Sequence, residues 1–429
     1  MENNLLRTVT ANGENEYRLI ADMHRRSEEE NRVIAASAQA IISDVKNRGF
    51  TAVSEYSMRF DKAEPYEVSA ETVKNAYDGL MPELREALQD AAKNIRDYHE
   101  RMLCKTWGFE REKGAYTGQI VAPLGKAGIY VPGGTAAYPS SVLMIAIPAK
   151  VAGVKEIVMV TPPGKNLNGT VLAAAYIAGV DRVFAVGGVQ AVAALSFGAG
   201  LIPKVDKIAG PGNAYVAAAK RLVFGTVDID MVAGPSEVLV IADESANPAY
   251  IAADLMSQAE HDVLASAVLI TTSDKIAASV NEEILRQIKA LSRAEIIKKS
   301  LASFGAAVVC KTLKQAAEIA NEIAPEHLEI VTKDPRALLP DIKNAGAVFL
   351  GEYSPEPLGD YMAGPSHVLP TSGTARFFSP LSTDSFLKKT SVIEYNRETL
   401  IKLSDKIMLL AENEGLGAHA NAISVRKKG

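Results

Sequence analysis

From about residue 120 the chain alternates short apolar runs with alanine-rich stretches of helical spacing, and no other feature constrains it as much. The runs 126–131, 156–160, 182–186 and 205–208 read as strands. The stretches 141–154, 169–179, 189–197 and 214–223 read as the helices between and after them. A second block repeats the layout, with strands at 237–241, 267–272, 306–310 and 347–350 and a helix at 248–262. Such β–α alternation argues for parallel sheets with helices on both faces. The first hundred residues read as helical. One helix is expected over 27–46, opened by Glu28, Glu29 and Glu30, and a second over 82–104. Residues 352–383 are rich in Pro, Gly and Ser, and loops of that length in compact domains are usually functional or disordered. In the tail Leu400, Leu403, Ile407 and Leu410 form a helical stripe that ends at Gly415.

A length of 429 residues suits two or three domains, and 48% hydrophobic with 23% charged residues excludes a mostly disordered chain. The net charge of -5 gives no general attraction for nucleic acid or an anionic membrane. Met1–Thr10 is polar, and the most apolar stretch, 141–154, carries Pro148 and Lys150 and is too short to span a bilayer. A cytoplasmic protein is expected. The 2 cysteines, Cys104 and Cys310, exclude a disulfide scaffold and a cysteine-built zinc site. The chemistry therefore turns on the 6 histidines, four of which lie beyond residue 260.

Asp254, Gln258 and His261 follow spacings that put them on one face of the 248–262 helix. They suit a metal site, with Gln258 and His261 as ligands oriented by Asp254, or a solvated helix face with a satisfied histidine, the reading the helix alone favours. Glu326-His327 can supply two proton acceptors to one pocket, or simply open a helix after Pro325. Asp360 is a candidate carboxylate ligand, and His367 sits in a loop where a core role is not expected. Gly415 and Gly417 let the tail turn sharply, which brings Glu414 and His419 near each other, although an ordinary helix end reads the same way. Two imidazoles with oxygen ligands suit zinc, and manganese or cobalt also fit. No G-x-G-x-x-G follows a strand. Glycine turns do follow strands at Tyr130-Val131-Pro132-Gly133-Gly134, Val186-Gly187-Gly188-Val189-Gln190 and Ala209-Gly210-Pro211-Gly212-Asn213. They can present backbone amides to a phosphate, or serve only as tight turns.

These motifs together resemble the histidinol dehydrogenase family. The run Ile229-Asp230-x-x-Ala233-Gly234-Pro235-Ser236-Glu237-Val238, then Ser257-Gln258-Ala259-Glu260-His261-Asp262, is similar to its signature. Pro325-Glu326-His327-Leu328, Gly364-Pro365-Ser366-His367 and Gly417-Ala418-His419 agree in order, so the likeness runs from about residue 120 to 420. The resemblance implies oxidation of L-histidinol to L-histidine through L-histidinaldehyde, with two NAD per turnover and one Zn2+ per subunit. It implies Gln258, His261, Asp360 and His419 as zinc ligands and Glu326 and His327 as the acid–base pair. Ser236, His367 and Glu414 would contact substrate alongside the metal ligands and His327, while Tyr130, Gln190 and Asn213 would line the NAD site. The implied fold is α/β, with two incomplete Rossmann-like parallel-sheet domains in an intertwined homodimer whose tail enters the partner's active site. The implied division is an N-terminal segment 1–26, a split domain 27–121 and 240–380 with the metal, a domain 122–239 with NAD, and a tail 381–429.

His327 is then suited to be the base in both oxidations and Glu326 to activate water for aldehyde hydration. A thiohemiacetal route is not expected, because Cys310 ends an apolar strand and Cys104 lies outside every motif. A zinc hydrolase built on Glu326-His327 is the alternative from another class. A catalytically silent ligand-binding homologue is disfavoured by the presence of both residues.

Overall fold

A computed structural model describes residues 5–24, 31–133, 138–163 and 167–428. The Glu28–Glu30 run and Gly134 lie outside the described residues. In chain order the strands are β1 (Arg7–Thr10), β2 (Tyr66–Val68), β3 (Trp107–Glu112), β4 (Ala115–Pro123) and β5 (Lys126–Tyr130). They continue with β6 (Glu156–Thr161), β7 (Arg182–Ala185), β8 (Lys207–Ala209), β9 (Asp228–Ile229) and β10 (Glu237–Ala242). The last are β11 (Ser266–Thr271), β12 (Gly305–Val309), β13 (His327–Val331), β14 (Ala347–Leu350) and β15 (Leu387–Tyr395). Two compact units result. One holds 1–102 and 124–386, the other 103–123 and 387–429.

The first unit contains two sheets of the same layout. One runs β2-β7-β6-β5-β8-β9 and the other β1-β12-β11-β10-β13-β14. Apart from β2, which pairs antiparallel with β7, every pairing in both is parallel. This is an α/β protein with two incomplete Rossmann-like sheets, in which order reverses between β5 and β8 and again between β10 and β13. The strands read as continuous apolar runs because both faces are covered; every residue of β10, β11, β12 and β13 is buried. Helix Pro139–Ala152 is apolar all round and buried from Ser141 to Ala149, as a helix packed on several sides must be. Asn168, Asn213, Asn247, Ser273 and Thr312 cap the helices that follow them, so polar residues end these loops for a local reason.

Residues 31–100 form helices Asn31–Arg48, Phe50–Phe60, Ala70–Asp78 and Pro82–Glu100. Grouped on sequence with 240–380, they pack here on the first sheet instead. Ile41, Ile42, Val45 and Val53 share a core with Val158, Val160 and Phe184. The N-terminal β1 pairs with β12 of the second sheet, and Leu19 and Ile20 join its core. The strand expected at 205–208 lies at Lys207–Ala209. Pro325 opens no helix, because Leu328 and Ile330 are drawn into the second core as β13.

The second unit is an antiparallel sheet, β15-β4-β3, followed by helices Arg397–Asn413 and Gly417–Lys428. Trp107, Phe109, Ile120, Ile393, Leu409 and Leu410 are exposed on it. The apolar stripe read in the tail is thus only partly covered within this chain. No helix among the described residues is long and apolar enough to cross a membrane.

Candidate active site

The site grows from the amino edge of the second sheet. Helices that follow parallel strands run back across the sheet, so their last turns return to that edge. His327 is the first residue of β13 and lies in register with Val238 and Ala347, near the starts of β10 and β14. Ser236, half-buried, directly precedes β10. Gln258 lies in the last turn of helix Pro248–Ala259 and returns to the same edge. That helix stops at Ala259 rather than at 262, so His261 falls beyond its end and is exposed. It is still close enough for its charge to bear on His327.

The pair Glu326-His327 is held by backbone. His327 Nδ1 lies 3.0 Å from the Glu237 carbonyl, to which it can only donate, so Nε2 is the free basic nitrogen of the neutral ring. Glu326 Oε2 accepts from the Glu237 N–H at 2.9 Å. One residue, Glu237, therefore fixes both side chains. Ala324, just upstream, has φ 51°, a left-handed conformation that costs a non-glycine residue about 1 kcal/mol. On the other side a Cβ on Gly346 would lie 2.5 Å from the Glu326 carbonyl oxygen, so only glycine allows β14 to approach there. Burial pushes His327 down to about 4 and Glu326 well above the usual carboxylate range.

The irregular segment contributes a short helix, Glu356–Tyr361. His327 Nε2 lies 3.8 Å from Glu356 Oε1. Donor atoms of His327, Glu356 and Asp360 all lie within 4.8 Å of one another, a group able to hold a metal ion. Burial, the largest influence on Glu356, raises it to about 9. Burial also pushes Asp360 upward, but its contacts with His367 and His327 outweigh that and hold it at about 2. His367 Nδ1 donates to the Asp360 carbonyl at 3.2 Å and lies 3.5 Å from its carboxylate, while Nε2 meets Ser141 Oγ at 3.2 Å. A cavity of about 290 Å³ opens between His327, Phe349, Leu358, Asp360, Pro365 and His367. Gln258 is 1% exposed, and its Oε1 has no hydrogen-bond partner among the described residues. An orphaned carbonyl oxygen of this kind needs a cation or donor.

Ser141 belongs to the helix after β5, so His367 joins the amino edge of the second sheet to the carboxyl edge of the first. On that first edge, Tyr130 ends β5 and its hydroxyl accepts from Gly188 N–H at 3.0 Å. Burial pushes Tyr130 up to about 12. Gln190 is 1% exposed with an unpartnered Oε1, and Asn213 caps helix Ala214–Val223. Gly210 has φ 129°, and a Cβ there would lie 2.1 Å from the Tyr130 carbonyl oxygen. The glycine turn thus runs tight against the end of β5, an approach that only glycine allows. Gln190 and the glycine turn fit a dinucleotide, and Gln258 with the Asp360 carboxylate fits a borderline cation such as zinc, leaving His327 Nε2 free.

The structure gathers His327, Asp360 and His367 at one cavity, with Ser236, Gln258, His261 and Glu326 along the same edge. Tyr130, Gln190 and Asn213 lie along the facing edge. Glu414 and His419 belong to the second unit, where both are exposed at the junction of its two helices. Sequence reasoning missed Glu356, Glu329, Glu237 and Ser141. Glu329 Oε1 accepts from the Glu356 N–H at 2.9 Å and shares a hydrogen bond with Asp254, so Asp254 braces the helix of Asp360. Glu356 was detectable, because it stands four residues before Asp360 directly after Pro355.

Comparison with known proteins agrees in one direction. The histidinol dehydrogenase family model matches residues 24–427. The histidinol dehydrogenase of Clostridium acetobutylicum is 54% identical over 410 residues, 95% of each chain. That of Caldanaerobacter subterraneus subsp. tengcongensis is 56% identical over 409 residues, 94% of this chain and 95% of its own. The crystal structure of histidinol dehydrogenase from Elizabethkingia anophelis aligns with TM-score 0.94 at 36% identity, covering 100% of this chain and 99% of that one. An acetylating aldehyde dehydrogenase from Geobacillus thermoglucosidasius, 14% identical over 88% of this chain and 96% of its own, shares the fold at TM-score 0.50. By sequence over nearly its whole length and by fold, the chain belongs to the histidinol dehydrogenase family.

Proposed function

We propose that the protein oxidises L-histidinol to L-histidine in histidine biosynthesis, with two NAD per turnover and one Zn2+ per subunit. The observation that carries this reading is the facing of the two edges. A base-bearing cavity on one sheet adjoins a glycine-cradled edge on the other, as hydride transfer between a small alcohol and a dinucleotide requires. Gln258, His261 and Asp360 would hold the cation together with His419 from a partner subunit. A zinc ion bound there supplies a Lewis-acidic anchor for the substrate's imidazole and amine. Tyr130, Gln190 and Asn213 line the dinucleotide edge, and Ser236, His367 and Glu414 contact substrate.

His327 acts as the base because Nδ1 is committed to Glu237 and burial keeps the ring neutral. Its Nε2 takes the alcohol proton while the carbinol hydride leaves for the nicotinamide ring. Glu326, its Oε2 held by the Glu237 N–H, takes a proton from water as the hydroxyl adds to the aldehyde carbon. His327 returns its first proton to the carbonyl oxygen as the diol forms, then takes a proton from that diol as the second hydride leaves, and the carboxylic acid so formed ionises to the carboxylate. No thiol takes part. Cys310 is buried, its thiol donates to the Thr271 and Thr312 carbonyls at 3.5 and 3.4 Å, and burial raises its pKa.

Apolar side chains left exposed on the second unit support a homodimer in which the tail, with Glu414 and His419, completes the neighbouring site. Two NADH formed per histidinol in the presence of zinc supports the reading; hydrolysis of the substrate without NADH overturns it. Mixing inactive His327→Asn and His419→Asn homodimers under verified subunit exchange should restore about a quarter to a half of activity if sites are shared. No recovery rules out the shared tail.

A further inference from the structure

One carboxylate at the dinucleotide edge has no part in the chemistry above. Asp61 ends helix Phe50–Phe60 and is half-buried. Its Oδ2 accepts from Gln190 Nε2 at 3.5 Å, a long contact. Burial alone raises its carboxyl, so no cation answers its charge among the described residues. Around it are further groups short of donors. Gln190 Oε1 is buried without a partner. The Tyr130 hydroxyl accepts from Gly188, keeps its own hydrogen to give, and lies within the field of Asp61. A carboxylate, an amide and a phenol thus lie together, with the half-buried carboxylate the accessible acceptor for hydroxyl donors. A phosphate brings only acceptors and negative charge, and so meets repulsion there.

In dinucleotide folds the acid that reads the adenosine ribose stands at the end of the second strand. Here that strand, β6, ends at Thr161 and is followed by Pro162-Pro163, with no acid. A Cβ on Gly187 would lie 2.4 Å from Pro162 Cγ, so proline fills the space beside the third strand's turn. An acid for the ribose has to come from outside the sheet, and Asp61 is the one that touches Gln190. We propose that Asp61 binds the adenosine ribose diol of NAD and is the residue that excludes the 2′-phosphorylated dinucleotide. The inference rests on the reading of Tyr130, Gln190 and Asn213 as the NAD site.

The test is an equilibrium titration of the full-length protein with NADH and with NADPH, followed by nicotinamide fluorescence. Wild type is expected to hold NADH at least about tenfold more tightly than NADPH. Asp61→Asn should weaken NADH several-fold, tighten NADPH, and bring the two within about threefold of each other. Asp61→Ser serves as the second variant, and circular dichroism verifies the fold of each. A wild type without preference, or folded Asp61 variants that keep the wild-type ratio, overturns the proposal. Gln190→Ala separates the two levels of argument. If it weakens NADH while the Asp61 variants keep the ratio, only the role of Asp61 falls. If it leaves NADH binding unchanged, the NAD-site reading falls, and the proposal with it.

Discussion

Lys220→Met tests how the dinucleotide edge is built. Lys220 Nζ forms an ion pair with Asp230 and donates to the Gly210 carbonyl at 2.9 Å. Asp230 in turn accepts from Gly210 N–H at 2.8 Å and from Met231 N–H at 2.7 Å. The two side chains are 2% and 1% exposed, so the pair lies in the core directly beneath the glycine turn. Methionine keeps the volume of Lys220 but leaves the Asp230 charge buried without a counterion. Such a change costs about 3–5 kcal/mol, and the two backbone donors left to Asp230 put it toward the lower end. At about 1.3 °C per kcal/mol for a compact unit of about 365 residues, the melting temperature should fall by about 4–6 °C. Lys220→Met/Asp230→Asn should recover about half of the loss, because the uncompensated charge is gone. Thermal unfolding by differential scanning calorimetry reads both. In the surviving folded protein the turn carrying Asn213 is loosened, so KM for NAD should rise more than kcat falls. A Lys220→Met protein melting within about 2 °C of wild type, or a double variant as low as the sum of the single losses, would refute the reasoning.

Three further outcomes are expected. His327→Asn should abolish both oxidations while zinc still binds, and Glu326→Gln should slow aldehyde oxidation more than alcohol oxidation; equal slowing in single-turnover measurements contradicts that division. Gln258→Ala should weaken zinc binding by about 10–100-fold in a chelator competition without lowering the melting temperature of the metal-free protein; unchanged affinity removes Gln258 from the ligand set. Burial raises Asp254 to about 6 and Glu329 well above its usual range. The folded pair therefore keeps protons that the unfolded chain releases near pH 4, and stability drains away as pH rises through the folded values. Glu329→Gln, which can still accept from Glu356 N–H, should gain in melting temperature relative to wild type between pH 5 and pH 8. A pH-independent difference argues against the protonated pair.

The strands β5 to β8, β10 to β12 and β14 were legible in the sequence because each is an apolar run bounded by turn residues. The run 237–241 matches β10 (Glu237–Ala242), and 347–350 matches β14 (Ala347–Leu350). β13 was not legible as a strand. Its alternate members His327 and Glu329 are polar and Pro325 stands two residues before it, a pattern that tertiary burial overrides. The antiparallel β3, β4 and β15 were hidden for another reason, since exposed Trp107, Phe109 and Ile393 give no clean alternation. Within the site, His327 and Asp360 stood out because imidazoles and carboxylates are scarce in apolar and Gly/Pro-rich segments. Asp61 did not, because what sets it apart is a contact across 129 residues to Gln190, which no local pattern encodes; Glu356 offered only its place four residues before Asp360.

The facing of one sheet's carboxyl edge with the other's amino edge also fixes the electrical polarity of the gap. Helices Pro139–Ala152, Gly188–Phe197 and Ala214–Val223 begin at the first edge, so the positive ends of their dipoles look into it. Helix Pro248–Ala259 ends at the second edge and presents its negative end there. One wall therefore favours a pyrophosphate and the other a cation before any charged side chain is counted. Two copies of one layout meeting top to bottom produce this opposition; meeting top to top they would have given two anion-seeking walls and no electrostatic place for a metal.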